Sequence, residues 1–359
     1  MAIHGKEPAG RAGPAIRGRA ILGPATLGMI CWIACSGTAL WGGPREDFLK
    51  LIDRPRVPLA PEVTRLADAD GLEQFHFTFQ AEAGPRVPGI LIRPKSAAGS
   101  SVQPRPAVIC LHGTGGRKEE CVPLLRELAS QGFLGVAIDG PFHGERTATG
   151  SYDDAILRAY RTGQGHPFLY DTVWEVMRLI DYLGTRPDVD ISRIGLIGYS
   201  KGGMEAYLAA AVDTRIRVVV SALGVESFRW ALDHGGWSAR TDSFKPAIKG
   251  AARDAGVWFV TASFVRQFYD RVAPGIYSEF DGPAMLPLIA PRALLTINGA
   301  RDSKTPREGL LECIDAAKKA YAAAGASNKA QFIIEENAGH EVTPEAARTA
   351  TEWLERWLR

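Results

Sequence analysis

Gly198, Tyr199, Ser200, Lys201 and Gly202 spell G-x-S-x-G, directly after the apolar run from Ile194 to Gly198 and before a helical segment. A serine on such a tight strand-to-helix turn stands above the sheet, and small residues two before and two after it let the backbone close up. The helix N-terminus beneath it favours developing negative charge. The chemistry implied is nucleophilic attack on a carbonyl carbon, with an acyl-enzyme as intermediate. A second segment, His112, Gly113, Thr114, Gly115 and Gly116, follows the apolar run that ends at Leu111. Its glycines let backbone N–H groups approach a substrate oxygen, and the N–H groups of Thr114 and Lys201 are assigned to the oxyanion. Neither GxxxxGK[ST] nor GxGxxG occurs, which argues against a nucleotide cradle.

The serine needs a base, and the histidines are His4, His76, His112, His143, His166, His234 and His340. His340 fits best, because Ala338 and Gly339 put it in a loop just past the expected strand Gln331 to Glu335. His112 and His143 follow earlier strands and are expected to shape the pocket, while His234 is a reserve. Asp302 follows the strand Ala293 to Asn298 and is the expected orienting acid, holding the His340 tautomer. Ser200, Asp302 and His340 come in the order expected when all three sit at successive strand ends of one sheet. No organic cofactor is needed and no metal is expected, since His112, His143 and Asp139 lack a metal-ligand spacing such as HExxH.

The elements that must position these residues alternate between strand and helix. Strands are expected at 75–81, 88–92, 107–111, 134–138, 194–198, 217–222, 293–298 and 331–335, with helices at 119–130, 171–183, 204–211, 308–324 and 344–358. That pattern implies an α/β fold, a mostly parallel eight-stranded sheet with helices on both faces. Between the sixth and seventh strands, residues 225–290 form a long insertion carrying Trp230, Trp237 and Trp258. It is read either as a cap over the carboxyl edge of the sheet or as extra packing helices. The cap reading makes the three tryptophans substrate contacts, facing a wall formed by 139–146 with His143 and Arg146 as polar groups. Gly113 and Tyr199, beside the oxyanion loop and the nucleophile, complete the expected pocket.

Composition bounds the rest. The chain of 359 residues carries 42 basic and 40 acidic side chains. Five of the basic residues, against Glu7 alone, fall within 1–45, leaving a body at −2 without the positive footprint that nucleic acid demands. A basic stretch ending at Arg19 precedes the uncharged run from Ala20 to Trp41, so 1–45 reads as a leader and 46–359 as the catalytic domain. Three forms of leader stay open: export with cleavage after Ala39, an uncleaved membrane anchor, or lipid attachment at Cys35. Export places the protein in the periplasm or outside the cell, and membrane contact would come only through an uncleaved leader. Cys110, Cys121 and Cys313 lie in the body, either as buried thiols or with one pair joined after export.

Taken together, GYSKGG, HGTGG, NGARDSKTP and NAGHE resemble the α/β-hydrolase superfamily over roughly residues 70 to 359. The segment DGPFHGER at 139–146 resembles the dienelactone-hydrolase-like and acetyl-xylan-esterase-like branches, and His340 followed by Glu341 resembles the latter. Ser200 stands where dienelactone hydrolases carry cysteine. Lys201 stands where acetyl xylan esterases usually carry glutamine, and Arg161 to Gln164 replaces a shorter Arg-Gly-Gln. The resemblance implies an α/β-hydrolase fold and a serine esterase acting on a small-molecule or carbohydrate ester, with deacetylation of a sugar as one option. Two other readings remain: a peptidase or amidase of the prolyl-oligopeptidase type, and a non-catalytic binding protein on the same scaffold.

Overall fold

The computed structural model describes residues 42–95 and 103–359, so the expected leader lies outside the described residues except for its last four. No helix among the described residues is long and apolar enough to cross a membrane.

The described residues open with helix α1 (Pro44–Ile52), which buries Phe48 and Ile52. Three strands follow, β1 (Glu62–Arg65), β2 (Leu72–Phe79) and β3 (Val87–Pro94), joined in antiparallel fashion. Strand and helix then alternate: β4 (Arg105–Leu111), α2 (Val122–Ser130), β5 (Leu134–Ile138), α3 (Tyr152–Thr162), α4 (Tyr170–Gly184), β6 (Val189–Tyr199), α5 (Lys201–Val212) and β7 (Ile216–Ala222). Five short helices occupy the insertion: α6 (Phe228–Asp233), α7 (Trp237–Thr241), α8 (Lys245–Asp254), α9 (Ala262–Val272) and α10 (Gly282–Met285). The chain closes with β8 (Ala293–Gly299), α11 (Arg307–Ala323), β9 (Ala330–Glu335) and α12 (Pro344–Leu358).

One nine-stranded sheet results, in the order β1-β2-β3-β5-β4-β6-β7-β8-β9. From β5 to β9 every neighbouring pair is parallel. Central strands such as β5 and β8 are buried at every residue, as a sheet covered on both faces requires. One core cluster gathers α4, α5, α11 and the insertion helices, and the other gathers α2 and α12 on the opposite face. The sheet has one strand more than expected, because all four residues of β1 are exposed and no apolar alternation marks them.

Candidate active site

Ser200 caps α5 at the end of β6, with φ at 56° and ψ at −117°. A non-glycine residue there is strained, and the surroundings hold it: its N–H donates to the Ala222 carbonyl at 2.8 Å, and its own carbonyl accepts from Gly203 at 2.9 Å. The flanking glycines are sterically required. A Cβ on Gly198 would lie 2.0 Å from the Gly202 carbonyl oxygen, and one on Gly202 would lie 2.4 Å from the Leu111 carbonyl oxygen. Ser200 Oγ therefore stands clear of the helix, beside Gly113 of the β4 loop.

His340 arrives from the loop after β9. Its Nε2 lies 2.8 Å from Ser200 Oγ, and its Nδ1 lies 2.6 Å from Asp302 Oδ2. The Asp302 side chain is fully buried, while that of His340 keeps 25% of its surface exposed. Asp302 also accepts from the Lys304 N–H at 2.8 Å and from Thr305 Oγ1 at 3.1 Å. Burial alone would raise the Asp302 carboxyl, but the hydrogen bonds from His340 and the Lys304 N–H outweigh it and hold it below the ordinary carboxylate range. Backbone bonds lace the two loops together, from Ala300 to Glu335 and from Arg301 to Ala338.

Behind the His112 to Gly116 loop lies a buried polar layer. Gly140 N–H donates to His112 Nε2 at 3.0 Å, so the ring carries its proton on Nδ1 and donates it to the Gly113 carbonyl at 2.7 Å. Burial, aided by the Lys201 charge, pushes His112 down to about 3 and His143 down to about 4. Both rings are neutral at ordinary pH. Lys201 Nζ pairs with Glu205 at 2.7 Å, both buried. The 139–146 loop is tied to the oxyanion segment by Asp139, which accepts from Lys118 N–H at 2.8 Å, Lys118 Nζ at 3.0 Å and Glu145 N–H at 3.0 Å.

The free space over Ser200 is narrow, about 20 Å³. Phe168, Met204 and Leu223 form its apolar side, while Glu226, Arg240, Lys304 and Thr305 form a polar side. Arg240 forms a buried ion pair with Glu226. Burial lowers Arg240 to about 10. Ala239, Arg240 and Ser243 come from the insertion, so that segment does reach the site.

Several expected contacts lie elsewhere. Trp258 sits between α8 and α9 with 94% of its surface exposed. Trp230 stacks on His234 at 4.4 Å and covers Gly309 of α11. Trp237 packs half-buried against the larger core. Arg146 is engaged by Glu175 at 2.8 Å and by the Asp139 carbonyl at 3.2 Å, leaving little of it for a substrate. His143 is buried against Tyr152 and donates to the Pro141 carbonyl at 2.8 Å, so it supports the loop rather than lining the cavity. Tyr199 packs half-buried against the smaller core cluster. The polar wall of Glu226, Arg240 and Lys304 escaped sequence reading. Lys304 and Thr305 alone carried a signal, as the residues that follow Asp302 in the turn.

The sequence model of the family described as "Glucuronyl esterase, fungi" matches residues 94–325. YtaP of Bacillus subtilis (strain 168) is 26% identical over 329 residues, covering 88% of this chain and 98% of that protein. Acetyl xylan esterase 1 from Thermoanaerobacterium sp. JW/SL YS485 superposes with a TM-score of 0.65 at 19% identity, covering 88% of this chain and 94% of that one. A glucuronoyl esterase from Solibacter usitatus gives a TM-score of 0.59 at 18% identity, covering 88% of this chain and 92% of that one. These two solved structures share the α/β-hydrolase fold with the chain. With the family match spanning β4 to α11, from the His112 to Gly116 segment through Ser200 and Asp302, the chain belongs to the glucuronyl esterase family and is a carboxylic ester hydrolase.

Proposed function

We propose that Ser200, His340 and Asp302 perform the hydrolysis as a catalytic triad, on a short acyl ester carried by a carbohydrate. The observation that carries this reading is the pair of hydrogen bonds through His340, 2.8 Å to Ser200 Oγ and 2.6 Å to Asp302 Oδ2. His340 Nε2 takes the Ser200 proton as Oγ attacks the carbonyl carbon, and Asp302 steadies the imidazolium that forms. The oxyanion is received by the N–H groups of Thr114 and Lys201, each worth about 3 kcal/mol in the transition state. His340 returns the proton to the departing alcohol, then activates the water that releases the acyl group.

The narrow space over Ser200, closed on one side by Phe168, Met204 and Leu223, suits a small acyl group better than a bulky acyl chain. Glu226 and Lys304, on the polar side of that space, suit a hydroxyl-bearing substrate. Relatives named for acetyl xylan and for glucuronoyl esters support a carbohydrate. The insertion at 225–290 serves as the cap, since Arg240 and Ser243 wall the cavity. The basic stretch followed by the uncharged run Ala20 to Trp41 supports an export leader.

The test is a panel of p-nitrophenyl esters of increasing acyl length, acetylated xylo-oligosaccharides, a methyl glucuronate and aminoacyl amides. Acetyl esters are expected to turn over fastest. Preference for the glucuronate or for amides would overturn the acetyl reading.

A further inference from the structure

Cys110 lies on β4, two residues before His112, and Cys121 closes the 3-10 turn Lys118–Cys121. Their Sγ atoms are 2.7 Å apart, inside the contact distance of two unbonded sulfurs and longer than the ~2.05 Å of a bonded pair. Both are buried in the core cluster under α2 and α12. Cys313, on α11, belongs to the cluster on the other face of the sheet and offers neither of them an alternative partner. Residues 111–120, the chain between the two thiols, carry His112 to Gly116, the segment that lies against Ser200.

We propose that Cys110 and Cys121 are joined by a disulfide in the mature protein, a modification site that closes the loop bearing the oxyanion segment. Two thiols lose two protons and two electrons to an incoming disulfide, glutathione disulfide or a thiol-disulfide oxidoreductase. One cysteine thiolate attacks that disulfide and releases the first thiol; the other then displaces the second thiol from the mixed disulfide. Burial raises the Cys110 thiol well above its ordinary value and shields both sulfurs, so exchange belongs to folding, before the core closes. The same burial then protects the bond from reductants. The bond tethers the segment at both ends, independently of the Asp139 to Lys118 contacts on its outer side. The oxidant needed places the step in an oxidising compartment and so rests on the proposed export, while the capacity of the two thiols to pair is tested apart from it.

The full chain is unfolded with dithiothreitol, refolded in reduced and oxidised glutathione, quenched with N-ethylmaleimide and digested with trypsin. Cleavage after Arg117 and Lys118 places the two cysteines in separate peptides, 96–117 and 119–126. The expected product is these two peptides linked, with Cys313 alkylated. Separately alkylated peptides, or either one linked to another cysteine, would overturn the pairing. Wild-type chain refolded in dithiothreitol throughout serves as the unbridged control, so no variant has to fold. It should lose ester hydrolysis on heating at least about fivefold faster than the bridged form. Equal rates in the two forms would overturn the stapling of the loop.

Discussion

Lys201 Nζ and Glu205 Oε1 lie 2.7 Å apart on one face of α5, both side chains closed off from water, with Lys201 directly after Ser200. The pair spans one helical turn, so its geometry is local, yet its charge acts on the site. The Lys201 ammonium helps keep His112 and His143 neutral, which leaves the proton of His112 on Nδ1, donated to the Gly113 carbonyl. The backbone of the His112 to Gly116 segment is thereby fixed from behind.

Removing one member of this pair leaves a buried charge alone. Lys201→Met should destabilise the protein by about 3 kcal/mol, and the double variant Lys201→Met with Glu205→Leu should recover most of that loss. Chemical denaturation of the three proteins checks this; equal stability of single variant and wild type would show that water reaches Glu205.

Ser200→Ala should abolish ester hydrolysis by about 10⁴-fold or more while leaving the denaturation midpoint near wild type. Asp302→Asn should cost about 10⁴-fold in kcat, because an amide favours the wrong His340 tautomer. Steady-state kinetics on p-nitrophenyl acetate decides both, and retention of a tenth of the activity by either would remove that residue from the triad.

Stability should fall as pH drops from about 6.5 towards 4, because His112 and His143 titrate at about 3 and 4 in the folded chain against 6.5 when free. Over that window the unfolded state binds protons that the native state refuses, so unfolding gains from acid; above 6.5 the contribution is complete. Thermal midpoints across this range measure the slope. His143→Gln should flatten it.

In the insertion the contrast lies between Trp258 and Arg240. Trp258→Ser should leave kcat/KM unchanged and stability within about 0.5 kcal/mol, as for an exposed side chain remote from the cavity. Arg240→Met should strand Glu226 beside Ser200 and lower both activity and stability. Kinetics and melting curves of the two variants test whether the cap acts through Arg240, which fails if Arg240→Met leaves kcat/KM unchanged.

Export is checked by intact mass. Expressed with its own N-terminus in a bacterium able to secrete, the mature protein should begin near Leu40, since Gly37 and Ala39 suit a signal peptidase. A full-length product in the membrane fraction would favour the anchor.

The sequence by itself determined the strand-turn-helix around Ser200, because Gly198 and Gly202 are demanded by backbone contacts within one turn and with the adjacent strand. It also pointed to Asp302 and His340 as candidates, since parallel strands end at one edge and each residue follows the end of a strand. Strand β1 was invisible, because a fully exposed edge strand has no face to mark by burial. The pocket wall was decided by tertiary structure alone. Arg240 sits on the five-residue helix α7, too short for any periodicity, and faces Ser200 only because the insertion helices pack around Phe228, Phe244 and Tyr269. Trp258 looked like pocket lining by its residue type, but a side chain's place at a loop tip depends on how the flanking helices α8 and α9 dock, which local sequence does not encode.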